Sequence, residues 1–549
     1  MKKMITMSLV AAATTFAFGS TADDIADLQK QIDALKAKTG KINAQSANDN
    51  IKWGVDLRPS VDNINYDMAG PDDQGRTSHG NDALMSMRLW LNMAYAPDSH
   101  NIFKGQLSMN KAFGADFGDF DSNRAFGMGA LFDWTGNAAL SDNNLKVSQA
   151  YWLYLGDELF GADIPWTFSL GRRPSGNGFL ANLSQDDPAQ SPLGHVINVE
   201  FDGLSSKLDL SNITGVPGMS FKLCMGRGSS NATPLFADAT PYAENDGLDS
   251  IDLAGFIFEP YNDGQFIVKT TWYKAFDLPG QEVSPTYTNA DGDVVEMDAT
   301  NSEGATNVAM DPSGFKQYGD VQGAAISVLV DGLTEDGYFS DAKVFGSFAW
   351  TKTEPYAGSE MLGSDESETG TSYWVGAYLP VGEGSEYGTV GLEYNHGSQY
   401  WRPFTYAEDT MIGSKIAARG DAYEVNYTYQ LTDALSLQAR YVGIDYDYAG
   451  SQGFFGNYSG TATSIDDLKA GAAGWDQMSG DANPTDLMAI GGVAYQLSQM
   501  DGQPIGYDPG ANPDDPYMAE AGKMAGAAQF LPNIVEAAQD FRFYLRYRF

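Results

Sequence analysis

The last ten residues place the tightest constraint on what this chain can fold into. They read Asp540-Phe541-Arg542-Phe543-Tyr544-Leu545-Arg546-Tyr547-Arg548-Phe549. Phe541, Phe543, Leu545, Tyr547 and Phe549 share one parity, and Asp540, Arg542, Tyr544, Arg546 and Arg548 share the other. Strand side chains alternate between faces, so one face is wholly apolar while the other carries three guanidiniums. The same alternation recurs from Ile51 onward in segments of roughly ten residues, the pattern of a transmembrane barrel. Met85, Met87, Leu89, Leu91, Met93 and Tyr95 oppose Ser86, Arg88, Trp90 and Asn92. Tyr423, Val425, Tyr427 and Tyr429 oppose Glu424, Asn426, Thr428 and Gln430, and Leu435, Leu437, Ala439 and Tyr441 oppose Ser436, Gln438 and Arg440.

The N-terminus reads as a secretory signal. Lys2 and Lys3 precede the mostly apolar stretch Met4 to Phe18, and Ser20-Thr21-Ala22 supplies small residues, which places cleavage after Ala22. That stretch is too short for a spanning helix, which needs about 20 residues. Residues 23–50 differ from the rest. Ile25, Leu28, Ile32, Leu35 and Ile42 follow heptad spacing with Thr39 at the missing place, Asp23 and Asp24 open the run, and Lys36, Lys38 and Lys41 close it. A short periplasmic helix followed by the linker 43–50 is expected, with 51–549 as an outer-membrane β-barrel. Cys224 is the only cysteine in a secreted chain of 549 residues, so no internal disulfide contributes stability. A barrel replaces it by pairing every backbone polar group. Aromatics at 12% suit interfacial girdles.

The net charge of -39 excludes nucleic acid as a partner, since phosphate binding needs a basic face. The acid concentrates in connecting segments such as 116–121, 291–298 and 360–368. It reads as solvated surface, or as a face bridged by divalent cations to lipopolysaccharide, which with the surrounding lipid is an expected partner.

Short and long connections alternate along the chain. Short ones fall near 96–101, 156–165, 212–218, 259–263, 331–340, 380–386 and 431–434. Long ones fall near 66–83, 114–146, 174–194, 228–250, 277–318, 352–371, 397–419 and 448–539. Barrels of this kind put short turns in the periplasm and long loops outside. Eight long and seven short connections predict an all-β, antiparallel barrel of sixteen strands, with fourteen to eighteen as the bounds. Leu487 to Met500 suits a helix better than a strand, and Ala519 to Ala538 is Ala-rich and helix-like, so 448–539 reads as one large outer loop with helical pieces.

Sixteen strands enclose more space than wall side chains fill. The inward parity predicts pore-lining charges at Arg88, Lys104, Arg173, Glu393, Glu424, Arg440, Arg542 and Arg546, with Arg548 on the same face. Two roles compete for them. They pair across the wall and keep it wet, or they form a basic constriction favouring anionic solutes. An inward loop from 114–146 or 448–539 is expected to set the narrowest point.

Several stretches carry a family likeness: Ser86 to Phe113 (SMRLWLNMAYAPDSHNIFKGQLSMNKAF), Leu170 to Gly178 (LGRRPSGNG), Leu392 to Trp401 (LEYNHGSQYW) and Ala422 to Tyr448. They resemble an uncharacterised family of Gram-negative outer-membrane proteins with a signal peptide, a short coiled coil and a large porin-like barrel. The terminal strand likewise resembles the one that the barrel-assembly machinery reads, with Tyr547 and Phe549 as the assembly signal. The resemblance implies fold and location and transfers no ligand or catalytic residue.

Signals for catalysis are thin. His79, His100, His195 and His396 form no metal-ligand spacing, and one cysteine builds no thiolate zinc site. Phosphate-binding, dinucleotide and nucleophile-elbow motifs are missing. Asp119-x-Asp121-x-Asn123 starts like a calcium loop, but Arg124 stands where the turn glycine belongs and Ala130 where the bidentate Glu belongs. Asn289 to Asp293 also looks calcium-like, while Thr286 to Val295 reads more simply as a hairpin. Cys224 reads as a small wall residue and His396 as a structural rim histidine. No cofactor, metal or enzyme activity is expected. The sequence favours a diffusion channel for small hydrophilic solutes or ions, with a homotrimer as the expected assembly. A plugged structural or adhesive surface barrel and a sheath around a partner protein are the alternatives.

Overall fold

The structure, a computed structural model, describes residues 51–70, 78–114, 140, 143–236, 239–244, 249–288, 294–296, 306–405, 410–450, 461–480, 482–484, 487–501 and 516–549. The expected signal segment, heptad helix and linker lie outside the described residues, as do Asp119, Asp121, Asn123 and the run 289–293.

Sixteen strands form one antiparallel barrel: β1 (Lys52–Met68), β2 (Ser78–Tyr95), β3 (Asn101–Ala112), β4 (Lys146–Gly156), β5 (Trp166–Ser175), β6 (Ile197–Asp209), β7 (Ser220–Ser229), β8 (Ile251–Asn262), β9 (Phe266–Thr288), β10 (Thr306–Asp331), β11 (Lys343–Pro355), β12 (Thr369–Pro380), β13 (Thr389–Gly397), β14 (Gly420–Thr432), β15 (Leu435–Tyr446) and β16 (Val535–Arg548). β16 pairs with β15 on one side and with β1 on the other, Asp62 standing opposite Arg542, so the sheet closes on itself. Closure removes the edge that a membrane would leave unsatisfied. Seven short and eight long connections alternate around the barrel in the expected order. No helix among the described residues is long and apolar enough to cross a membrane.

Two boundaries shift. The segment 277–318, read as one long connection, is largely strand. Pairing continues from Leu278 opposite Gly319 to Thr288 opposite Thr306, and the short strand Val294–Glu296 folds back on Thr286–Thr288 as the expected hairpin. With 23 and 26 residues, β9 and β10 exceed the about 9–11 residues needed to cross a bilayer, so this hairpin projects past the rim. The helix-like run 519–538 also divides. Helix α3 (Pro516–Phe530) stops before Pro532, and Val535 to Ala538 already pair with β1. Long-range pairing overrides the helical preference of alanine.

Before α3 come α1 (Ile465–Ser479) and α2 (Leu487–Met500), the latter where a helix is expected. The Ser464 side chain accepts from the Asp467 amide and caps α1, with Asp466 and Asp467 in its first turn. The three helices share a core of Trp475, Val493, Ala521 and Met524, and rest on the rim through Ile465, Ala527, Leu531 and Ala69.

Alternation sorts the wall. Outward side chains such as Met85, Leu170, Phe348, Val425 and Phe541 are exposed, while their inward neighbours Arg88, Ser169, Ser347, Glu424 and Arg542 are buried. An outward face this apolar matches a lipid-facing band. Trp152, Tyr154, Trp166 and Phe168 cluster near the short-turn rim, with ring centroids 5.3–6.2 Å apart.

Candidate functional site

The inward face is itself two-sided. On β9 to β12 it is largely apolar and hydroxylic, with Tyr273, Leu329, Phe345, Trp374 and Tyr378 beside Ser327, Ser347 and Ser372. On β1, β2, β15 and β16 it carries Asp56, Arg58, Asp62, Arg88, Arg440, Arg542 and Arg546. The segment 176–196, which connects β5 to β6, enters the lumen and matches both sides. Phe179, Leu180 and Ala181 pack with Leu329, Phe345, Trp374 and Tyr378. Leu193, Val196 and Ile197 join Tyr273, Tyr318 and Phe404. Between these apolar anchors a short turn, Leu183–Gln185, ends at Asp186 and presents polar groups to the opposite wall.

There the loop is held by the arginines. Arg546 donates to the Gln185 carbonyl and to the Asp187 carboxylate, each at 2.6 Å, while also engaging Asp56. Arg548 reaches Asp187 at 2.9 Å and the Asp186 carbonyl at 2.9 Å. Arg88 donates to the Gln185 side chain at 3.0 Å, and Gln438 to the Ser184 carbonyl at 2.7 Å. Asn177, Leu180 and Asp186 all adopt positive φ, at 51°, 78° and 49°. Such backbone costs about 1–3 kcal/mol per residue and persists only where surrounding contacts over-determine it.

A second connection, 398–419, also turns inward. Lys415 bonds Glu393 at 2.6 Å and also pairs with Glu424. Trp374 donates to Glu393 at 3.0 Å and Asn426 to Glu424 at 2.8 Å, so this buried cluster ties the loop to β12, β13 and β14. Trp401 donates to the Ile416 carbonyl at 2.8 Å. His195 sits where the two loops meet the wall. It is fully buried, with Nδ1 2.7 Å from the Ser347 hydroxyl, Nε2 2.9 Å from the Ser372 hydroxyl, and its ring edge-on to Trp374 and Trp401. Burial drives its pKa down to about 3, so the ring is neutral.

Two cavities flank the inserted loop. One, of about 180 Å³, lies between the loop and the β1–β4 wall and is lined by Arg58, Ser86, Arg88, Trp90, Ser108 and Asn177 among others. The other, of about 440 Å³, lies toward the short-turn rim and gathers Asp186, Asp187, Asp331 and Asp341 with Lys343.

The residues singled out from sequence are placed as follows. Arg88, Arg173, Glu393, Glu424, Arg440, Arg542 and Arg546 are buried on the inward face, and Lys104 is exposed. Arg173 lies over the Tyr151 ring at 4.4 Å, away from the arginines of β15 and β16. Arg542 pairs with Asp62 across the β1–β16 seam. Tyr547 and Phe549 face outward with ring centroids 5.3 Å apart. His396 contacts Asp421 at 2.9 Å and the Tyr373 ring on the outer face. Of the connections expected to turn inward, 115–139 lies outside the described residues, and 447–534 supplies the helices at the rim. Sequence reasoning missed 176–196 and 398–419, as well as Asp56, Asp62, Asp187, His195 and Lys415. The overlooked signal was apolar content: Phe179-Leu180-Ala181 and Ile416-Ala417-Ala418 are poor choices for a solvated loop.

Among solved structures the chain is similar in fold to outer-membrane proteins. An anion-selective porin from Comamonas acidovorans aligns at 10% identity and TM-score 0.40, covering 91% of this chain and 99% of that one. OmpF of Salmonella typhi aligns at 10% identity and TM-score 0.39, with 91% and 99% covered. OmpT of Vibrio cholerae aligns at 10% identity and TM-score 0.38, with 91% and 97% covered. No curated protein matches the sequence. Residues 78–486 match a family described as protein of unknown function (DUF3373). The chain, a sixteen-stranded antiparallel barrel, therefore belongs to that family.

Proposed function

We propose that the barrel is a channel for small hydrophilic solutes, with passage confined to the polar side of the lumen. The observation that carries this reading is the cavity between the inserted loop and β1–β4, walled by hydroxyls, amides and guanidiniums. The apolar side is filled by the loop's own packing, so the water-compatible route lies along the arginine wall. On this reading Arg58 and Arg88 line the route, Arg440 and Arg546 add charge behind its wall, and together they give it a preference for anions. The test is single-channel conductance of purified protein in a planar bilayer under a salt gradient. Stable steps with anion preference are expected, and Arg88→Ala or Arg440→Ala reduces that preference. A folded barrel that stays silent overturns it.

A second reading is a plugged barrel that opens only on a signal. It is favoured by the grip of Arg88, Arg546, Arg548 and Gln438 on residues 184–187. Conductance that appears only after 176–196 is excised distinguishes it. Catalysis has little purchase on either reading, because both nitrogens of buried His195 are occupied by wall hydroxyls. The N-terminal division at 22 and 50, assembly as a homotrimer, contact with lipopolysaccharide and recognition of Phe549 by the assembly machinery are further parts of the proposal. An oligomer unchanged by deletion of 23–42 would remove the helix from trimer formation.

A further inference from the structure

We propose that the cavity toward the short-turn rim, between the inserted loop and the wall from β10 to β14, is a binding site for a linear organic diamine. The site goes beyond the channel reading and does not depend on it, since binding there requires no conduction. A surplus of carboxylate and a buried carbonyl oxygen with no donor define the chemistry.

Four carboxylates, Asp186, Asp187, Asp331 and Asp341, line this space with one ammonium, Lys343. Lys343 bonds Asp331 at 2.6 Å, and Asp187 is held by Arg546 at 2.6 Å and by Arg548 at 2.9 Å. The four carboxylates thus meet three cations, one of which, Arg546, is shared with Asp56. Arg548 reaches the Asp186 carboxylate only at 3.4 Å, and that side chain is 72% exposed. Asp341 has no cation in ion-pair contact among the described residues, and its polar neighbour is the Ser385 hydroxyl at 3.5 Å. Asn182, on the loop, adds a separate observation. It is 8% exposed and lines the same cavity. Its amide nitrogen donates to the Asp187 carbonyl at 2.7 Å, which fixes the side chain's orientation, and its side-chain oxygen is buried with no partner among the described residues. A carbonyl oxygen accepts and never donates, so the group that completes Asn182 is a donor. Neutral donors around the cavity already have acceptors: Ser340 donates to the Gly337 carbonyl at 2.8 Å, Gln430 to the Thr432 carbonyl and Tyr378 to Glu393. The cavity therefore presents acceptors and negative charge, and its complement is an N–H donor that carries positive charge. The open acceptors stand on two sides, Asp341 at the wall and Asn182 with Asp186 on the loop, and Leu183 offers an apolar surface in the same space. Two ammonium groups joined by a short methylene chain match that arrangement, and about 440 Å³ has room for them.

The experiment is titration calorimetry on the purified full-length barrel in detergent at constant ionic strength. The probe is 1,4-diaminobutane, compared with 1-aminobutane and with the fully N-methylated diammonium. The diamine binds saturably. The monoamine binds at least about tenfold more weakly because it answers one side alone, and the methylated dication does so because it keeps both charges but has no N–H to donate. Asp341→Asn lowers the affinity for the diamine by about tenfold. Asn182→Ala narrows the preference for the diamine over its methylated form, in protein that retains heat-modifiable migration. Absence of saturable binding, equal affinity for the diamine and the methylated dication, or an affinity unmoved by Asp341→Asn overturns the site. Asp341 is exposed, so its substitution leaves the packing of the loop intact and carries the test even where Asn182→Ala loosens 176–196.

Discussion

Asp187 is the residue on which the inserted loop turns. Its carboxylate is 6% exposed and accepts from both Arg546 and Arg548. Breaking a buried pair by removing one partner costs about 3–5 kcal/mol, because the charge left behind stays desolvated. Asp187→Ala should therefore loosen 176–196, seen as faster proteolysis of that segment and as larger or noisier conductance steps. His195 adds a pH dependence whose sign follows from its lowered pKa of about 3 against an ordinary 6.5. Between those values the unfolded ring binds a proton that the packed ring refuses. The loop's seating is thus complete above pH 6.5 and weakens as pH falls toward 3, by up to about 1.4 kcal/mol per unit. Hydrogen exchange of the 176–196 amides should quicken on acidification, and His195→Gln should flatten that slope.

Among the elements, the seam between β1 and β16 stands out. Asp62 pairs with Arg542 and Asp56 with Arg546, while Arg58 lies over the Tyr544 ring at 5.0 Å. The first and last strands of the chain are thus locked from inside by buried charge. Arg542→Met alone should lower urea resistance strongly, and adding Asp62→Leu should recover most of the loss, since a matched apolar pair is often no worse than a buried ion pair. An equal loss in single and double variants would show that the pair does not couple. Strand faces and turns were legible because alternation is local: Met85 and Phe541 point outward, and Arg88 and Arg542 inward, as their parity requires. Element ends were less legible. Val535 to Ala538 carry helical propensity but fold as strand, because β1 and β15 offer partners that the local sequence does not reveal.

At the scale of the molecule, barrel and helical cap are separable. The cap has its own core of Trp475, Val493 and Met524 and meets the rim over a small apolar seat. Replacing 464–533 with a short flexible linker should leave heat-modifiable migration and conductance largely unchanged. A collapse of either would mean that the cap is part of the channel. The sequence by itself determined a closed barrel of fourteen to eighteen strands and which side chains face outward, because a period of two and the spacing of turn residues are read within a few residues of chain. Only the tertiary structure decided which loops enter the lumen and which carboxylates meet the arginines. The pairing of Arg546 with Asp187 spans 359 positions and depends on where the 176–196 turn comes to rest, and no local pattern encodes a contact made across the width of a barrel.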